Sequence, residues 1–535
     1  MGFANTPMEF WYLAWFTLAP LWVVLILPIY EQEKLEFTLL RKRRKDAKNL
    51  LEKVYLIFNQ NLLFSLLWGC SFYGFSLFWL TGIHPLTWMG IPWLSSLFIT
   101  LFCFIFVTLW GTIFVIIWSW ILVNLHKLKI SKNSQQKSLL FESIKRIIIG
   151  VTIWCLLEVI ESHTPLWWIS LGLTQSPSNL IILQLGKLSG LTTITASIVA
   201  VNGLIAESFI HFYLKRKQLL DFKKYHYILS LSGISLILIL HSIGFYFYNI
   251  PSQNYDQKSI KIGLIQGNIP PQLKSFSTGI LQAIEGYTTG YQILANQGAE
   301  LILTPETALP FFWKDVMFYS TLYNEVLKQK TPLIVGAFSQ NEKGYTNSLF
   351  SMDKTGEIIS QYDKIQLVPL GEYIPFQSIL GKLIKRLSSF DIFLIQGDNQ
   401  QIFKAFNTPV GKAIIGICYE SAFPNNFRFQ TLAGGEFIIT ASNNSFYRNS
   451  MLFQHHSQDV LRAIETDRWV ARSTNTGLSA IINPQGKTVW ISKINTYETH
   501  LDTIYKRQTK TLYVKFGDWL ILVLLLLGIL VLIIL

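Results

Sequence analysis

Long apolar runs separated by short charged stretches fill the first half of the chain, and short apolar runs of strand length fill most of the second. A helix needs about 20 apolar residues to cross a hydrocarbon core. Runs of that order lie at roughly 9–30, 61–82, 92–124, 147–172, 187–212, 227–248 and 518–535, so the pattern predicts seven spans. The 92–124 run is long for one crossing and too short for two with a loop, which predicts a single tilted or overhanging helix. Between 258 and 505 the segments "IKIGLIQGN", "AELILTPE", "TPLIVGAFS", "KAIIGICYES", "EFIITASNN", "WVARSTNTG" and "LSAIINPQGK" each predict a strand, several continuously apolar as buried strands are. A helical pattern at 278–298 lies between two of them. The expected organisation is a polytopic α-helical membrane domain of about six helices at 1–250, an extracytoplasmic α/β domain at 258–505, and a C-terminal transmembrane helix at 513–535.

Composition and charge sharpen this picture. With 50% hydrophobic residues and 17 Trp, the chain is too apolar for a soluble enzyme. Residues 31–60, 125–146 and 213–226 carry 8, 6 and 5 basic residues against 5, 1 and 1 acidic ones, nearly all of the net +13. The alternate connections at 83–91 and 173–186 and the first ten residues carry no Lys or Arg. That asymmetry predicts that the three basic loops face the cytoplasm and that 249–517 lies outside. The "RKRRK" at 41–45 also fits an anionic-lipid or nucleic-acid patch, but a topology signal accounts for all three loops at once, and no nucleic-acid partner is expected. The N-terminal apolar segment lacks a basic start and reads as an anchor rather than a cleaved signal. Glu158 and Glu207 fall near span ends and are expected at headgroup level.

Cys70, Cys103 and Cys155 fall within spans, where a thiol is ordinary packing, and Cys418 alone reaches the outer domain. An unpaired thiol outside the membrane is a reactive group, one half of an intermolecular bridge, or a buried small hydrophobe. Glu306, Lys364 and Cys418 stand just past strand ends, where α/β sheets place their chemistry. As a structural pair, Glu306 and Lys364 would be an ion pair at a sheet edge; beside a thiol they supply a base and a cation. The tandem His455 and His456 would point about 100 degrees apart on a helix and have no Cys or Asp cluster beside them, so no metal is expected.

The segments "TPETALP", "YDKIQLVPLGEYIPF" and "GICYESAFP", in this order, resemble the Glu, Lys and Cys motifs of the nitrilase, or carbon-nitrogen hydrolase, superfamily. With "WGCSFYGFSLFW", "VAVNGLIAE", "GLIQGNIPPQLK" and "QHHSQDVLRAIETDRWVARSTNTG", nearly the whole chain resembles the apolipoprotein N-acyltransferase family. The resemblance implies an α-β-β-α sandwich for the outer domain and no cofactor. It implies Glu306 as general base, Lys364 as oxyanion holder together with the Tyr419 N–H, and Cys418 as nucleophile, with Glu372, Tyr419 and Glu420 in support. It implies acyl transfer from a membrane phospholipid, through a Cys thioester, to the α-amino group of diacylglyceryl-modified apolipoproteins, by a multi-pass protein of the bacterial inner membrane with a periplasmic catalytic side.

The chain departs from the family pattern in having one fewer predicted N-terminal span. It has Ser275 and Phe276 where a Trp is usual, and Asn444 and Phe446 where Asp and Trp are frequent. These positions, Phe276, Asn444 and Phe446, resemble substrate-cavity wall. Residues 374–393 fit either an interfacial lid or a core-facing helix. Two further readings use other classes: a membrane-tethered amidase or nitrilase acting on a small amide, and a catalytically silent membrane scaffold.

Overall fold

The computed structural model describes residues 1–40, 47–127, 139–217, 224–250, 259–270, 277–315, 320–369, 371–373 and 394–533. Phe276 and the segment 374–393 lie outside these residues. Long helices stand at each apolar run: α1 (Ala19–Leu40), α2 (Ala47–Ser76), α3 (Trp93–Lys127), α4 (Leu139–Ser162), α5 (Leu191–Arg216) and α6 (Tyr225–Asn249) in the first half, and α11 (Trp519–Ile533) at the end. Four segments, Trp11–Tyr30, Trp93–Leu125, Leu191–Arg216 and Tyr225–Asn249, are helical, long and apolar enough to cross a membrane. The 92–124 run is one unbroken helix. Apolar side chains such as Phe98, Phe102, Leu231 and Leu238 point outward from α3 and α6, the exposure expected of helices solvated by lipid.

Two expectations for this half need correction. The run at 147–172 is not helical throughout: α4 stops at Ser162, and residues 163–179 form an irregular segment. The "HTP" at 163–165 explains the stop, because Pro165 disfavours helical backbone at Thr164 and has no N–H to continue the ladder. Glu158 and Glu207 are bonded inside the helical bundle rather than left free at span ends. The Glu158 carboxylate accepts from Trp154 Nε1, Leu171 N, Ser170 Oγ and Thr195 Oγ1 at 2.8–3.1 Å, which ties the irregular segment to α4 and α5. Glu207 is fully buried and takes Arg146 Nε at 2.8 Å and Nη2 at 2.5 Å, with Ser143 and Trp22 completing its shell. A carboxylate cannot be left unpaired in an apolar bundle, so the pair joins α1, α4 and α5.

The second half folds as two six-stranded sheets, β12-β1-β2-β3-β4-β5 and β11-β10-β9-β8-β7-β6. The first contains β1 (Ser259–Gln266), β2 (Leu301–Leu303), β3 (Leu333–Asn341), β4 (Gly344–Met352), β5 (Ile358–Asp363) and β12 (Glu498–Tyr505). The second contains β6 (Phe406–Thr408), β7 (Gly411–Ile417), β8 (Phe437–Ser442), β9 (Val470–Thr474), β10 (Ala480–Ile482) and β11 (Thr488–Ile491). Each sheet is parallel through three central strands, β1-β2-β3 and β7-β8-β9, and antiparallel at its edges. The parallel connections carry α7 (Ser277–Asn296), α8 (Thr321–Gln329), α9 (Pro424–Leu432) and α10 (Asn449–Thr466).

Side-chain alternation decides the layers. Leu301, Leu303, Ile415, Ile417, Phe437 and Ile439 meet in one core between the sheets. Ile302 turns the other way, to Tyr291 and Leu294 of α7 and Val326 of α8. On the far face of the second sheet, Ile414 and Ile438 join α9, α10 and the buried membrane helices in one continuous core. The result is an α-β-β-α sandwich whose second helical layer is fused to the membrane domain. Helix α10 is the shared element, and its polar residues are buried because both sides use them: Gln454 Nε2 donates to the Ser76 carbonyl at 2.9 Å, and Asp459 pairs with Arg472 of β9 at 2.5 Å.

Candidate active site

Three strand ends deliver the candidate residues. β2 runs out into Thr304–Pro305–Glu306, and Thr307 takes a left-handed φ of 47° that turns the chain and leaves the carboxylate inside. This turn presses against Gly336 of β3, where a Cβ would lie 2.3 Å from the Pro305 carbonyl oxygen, so only glycine fits. β5 delivers Lys364, and β7 delivers Cys418, which itself holds a strained φ of 50°. A positive φ at a cysteine is retained only where its surroundings over-determine it, and such strain clusters at functional turns.

Glu420 supplies that determination. Fully buried, it accepts from Ile417 N at 2.8 Å on one oxygen, and from Ile365 N at 2.7 Å, Gln366 N at 3.2 Å and the Tyr362 hydroxyl at 3.2 Å on the other. One carboxylate therefore clamps the residues just before Cys418 to those just after Lys364. Burial pushes its pKa up to about 7 against those donors. Tyr419 fixes the other side of the turn: its hydroxyl donates to the Pro165 and Trp167 carbonyls, both at 2.8 Å, and its ring stacks on Trp168. Trp167 Nε1 answers by donating to the Ala422 carbonyl at 3.0 Å.

At the centre, Lys364 Nζ donates to Glu306 Oε1 at 2.8 Å and to Glu372 Oε1 at 2.9 Å. Asn347 Nδ2 reaches the same two oxygens at 2.8 and 3.3 Å, and the Asn443 N–H donates to Glu306 Oε2 at 2.7 Å. Glu306, Lys364 and Cys418 are each at most 4% exposed. Burial alone would lower the Lys364 pKa, but the Glu306 and Glu372 carboxylates outweigh it and hold the ammonium well above its ordinary range. Burial, and then Glu306, push the Cys418 thiol upward, while Lys364 and the Asn443 N–H oppose them. The resting sulfur is therefore a thiol. Two carboxylates around one ammonium leave the cluster with an excess of acceptors facing Lys364.

The structure thus gathers Glu306, Lys364, Glu372, Cys418 and Glu420 within one buried network. Tyr419 sends its side chain away to the membrane domain, leaving only its backbone at the turn. Asn444 is buried with its amide against Cys418 Sγ, whereas Phe446 is exposed and stacks on Trp88 at 5.4 Å. His455 and His456 diverge as helical neighbours must, His455 to the Cys418 carbonyl at 2.8 Å and His456 to Thr488 at 3.0 Å, and no metal-binding cluster occurs among the described residues. Sequence reading missed Asn347 and Tyr447. Asn347 sits in β4, whose buried "TNS" hides the strand pattern. Tyr447 follows the substituted Phe446, is partly buried, packs edge-on against Trp79 at 5.0 Å, and lies in the field of Cys418, Glu372, Lys364 and Glu306.

A two-sheet sandwich with a Glu–Lys–Cys constellation, joined to apolar helices, defines a membrane-embedded protein of the carbon-nitrogen hydrolase class. The carbon-nitrogen hydrolase profile matches residues 261–505, and the profile for the apolipoprotein N-acyltransferase N-terminal domain matches 54–204. The apolipoprotein N-acyltransferase of Nostoc sp. is 46% identical over 97% of this chain and 94% of its own, and that of Synechocystis sp. is 43% identical over 98% and 96%. The chain belongs to the apolipoprotein N-acyltransferase family. Among solved structures, Saccharomyces cerevisiae Nit3, a nitrilase-superfamily member, aligns with 48% of this chain and 92% of its own at 18% identity and a TM-score of 0.36.

Proposed function

We propose that the protein transfers an acyl chain from a membrane phospholipid to the α-amino group of the diacylglyceryl-cysteine that begins a lipoprotein. The protein sits as a multi-pass enzyme in the bacterial inner membrane with residues 258–505 on the periplasmic side. The observation that supports this most is the convergence of Glu306, Lys364 and Glu372 beside Cys418, on a turn whose next side chain, Tyr419, is anchored in the membrane domain.

In the first step the thiol proton passes to Glu306 as Sγ attacks the ester carbonyl. Lys364 stays charged throughout and holds the developing oxyanion with the Tyr419 N–H. Collapse expels the lysophospholipid alkoxide, which takes the proton back from Glu306, and leaves a thioester on Cys418. In the second step the α-amino group attacks the thioester, Glu306 accepts its proton, and the sulfur leaves and is reprotonated. An amide and the free thiol result. Glu372 keeps Lys364 aimed while Glu306 changes charge. Burial of the cluster keeps water from the thioester between steps.

The test incubates detergent-purified protein with phospholipid carrying a labelled acyl chain. Label that is released by neutral hydroxylamine and missing from Cys418→Ala supports the reading. A folded wild type that takes up no label, or that releases ammonia from small amides instead, overturns it in favour of a tethered amidase.

A further inference from the structure

Asn444 stands in direct contact with the reacting sulfur. As placed, its Oδ1 accepts from Cys418 Sγ at 3.8 Å and lies 3.3 Å from His455 Nδ1. The other ring nitrogen, His455 Nε2, is 2.8 Å from the Cys418 carbonyl oxygen. All three side chains are buried.

A carbonyl oxygen only accepts, so Nε2 carries a hydrogen. Burial, reinforced by Arg472, pushes the His455 pKa down to about 3, so the ring is neutral and has one hydrogen to give. Nδ1 is then a lone pair, and the amide edge facing it has to donate. The two ends of an amide are nearly isosteric, and the hydrogen-bond network decides which end faces which neighbour. With Oδ1 toward the ring, two lone pairs would oppose each other and Nδ2 would be buried without a partner. With Nδ2 toward the ring both conflicts vanish. The oxygen then lies against Gly477, and a buried carbonyl is a cheaper orphan than a buried N–H. The same edge faces Sγ.

We propose that Asn444 is a catalytic residue that donates a hydrogen bond from Nδ2 to Cys418 Sγ, and that His455 is a positioning residue whose Nδ1 holds the amide that way round. The proposal rests on the reading of Cys418 as nucleophile. An oxygen at this place would hold the thiol proton away from Glu306 and oppose a thiolate. A nitrogen frees the proton for Glu306 and gives the sulfur a second N–H beside that of Asn443, amid the charges of Glu306, Lys364 and Glu372.

The experiment follows alkylation of Cys418 by iodoacetamide against pH in the full chain in detergent, read on the Cys418 peptide by mass. Labelling of Cys70 and Cys103 serves as the folding control. Asn444→Ala is expected to slow alkylation about tenfold at pH 7 and to move its midpoint up by about one pH unit. Asn444→Asp, the same shape without the donor, moves it at least as far, and His455→Ala moves it in the same direction without touching the sulfur. A wild-type midpoint in Asn444→Ala or Asn444→Asp overturns the donor role, and one in His455→Ala overturns the positioning role. If the wild type takes no acyl group from phospholipid, the parent reading fails separately, because alkylation still reports the bond to sulfur.

Discussion

At the scale of single residues, Lys364 has two duties that can be separated. It neutralises the buried Glu306 and the partly buried Glu372, and in the proposed reaction it holds the oxyanion. Lys364→Met leaves both carboxylates without their cation and should cost about 3–5 kcal/mol of stability, seen as a lower denaturation midpoint. Adding Glu372→Gln should recover part of that stability and none of the acyl-enzyme formation. Recovery of labelling in the double variant would show that Lys364 is only structural. Glu306→Gln should lower thioester formation by about 10²–10⁴-fold, because Lys364 keeps Glu372 but the proton acceptor is gone. The buried histidines set a pH dependence of stability. His455 is held down to about 3 and His456 to about 4, so the unfolded chain binds protons that the folded one refuses as pH falls below about 6.5. Stability is full above that point and is lost on acidification, by roughly 2 kcal/mol for each ring at pH 5. The denaturation midpoint should fall between pH 7 and pH 5, with a shallower fall in His456→Gln, which leaves Cys418 untouched. An equal fall in that variant would assign the effect elsewhere.

At the scale of elements, the irregular segment 163–179 and α10 matter more than their sequences announce. The segment reads as the end of an apolar span, and only the "HTP" at 163–165 hints that the helix stops early to lay Trp167 and Trp168 against the turn at 418–422. Tyr419→Phe removes the one hydroxyl that both carbonyls of this segment share. The variant should lose several-fold in labelling from phospholipid while Cys418 alkylates at its normal rate, because the pose of the turn over the membrane domain is lost and the thiol is not. Equal losses in both assays would mean that the turn itself has collapsed. Legibility followed physical cause throughout the outer domain. β1, β2, β3, β7, β8, β9 and β10 show in the sequence because their apolar runs fill a core. β4, β5, β6, β11 and β12 do not show: β4 buries Thr346, Asn347 and Ser348 as a polar network beside the site, and β12 is a half-exposed edge. Glu306, Lys364 and Cys418 were legible from strand ends and motif order. Asn347 and the contact between Asn444 and sulfur were not, since each depends on a neighbour distant in sequence.

At the scale of the whole molecule, the continuous core that joins α10, the second sheet and the membrane helices fixes the Cys418 turn relative to those helices. Both substrates in the proposed reaction are themselves held in the bilayer, so a rigid mount replaces the diffusional search that a soluble enzyme would need. The proposed reaction needs the sandwich on the side to which lipoproteins are exported. The three basic stretches, 31–60, 125–146 and 213–226, predict that side through the cost of moving Lys and Arg across the membrane. Lys354, exposed in the turn between β4 and β5, and Ser134, within the second basic stretch, report on opposite sides under this arrangement. With a membrane-impermeant maleimide, Lys354→Cys should label in intact spheroplasts and Ser134→Cys only after the membrane is opened. The reverse pattern would place Cys418 on the cytoplasmic side, where a lone thiol is unremarkable and exported lipoproteins are out of reach. Phospholipid-dependent labelling of Cys418 would then have to be explained by an acceptor made inside the cell.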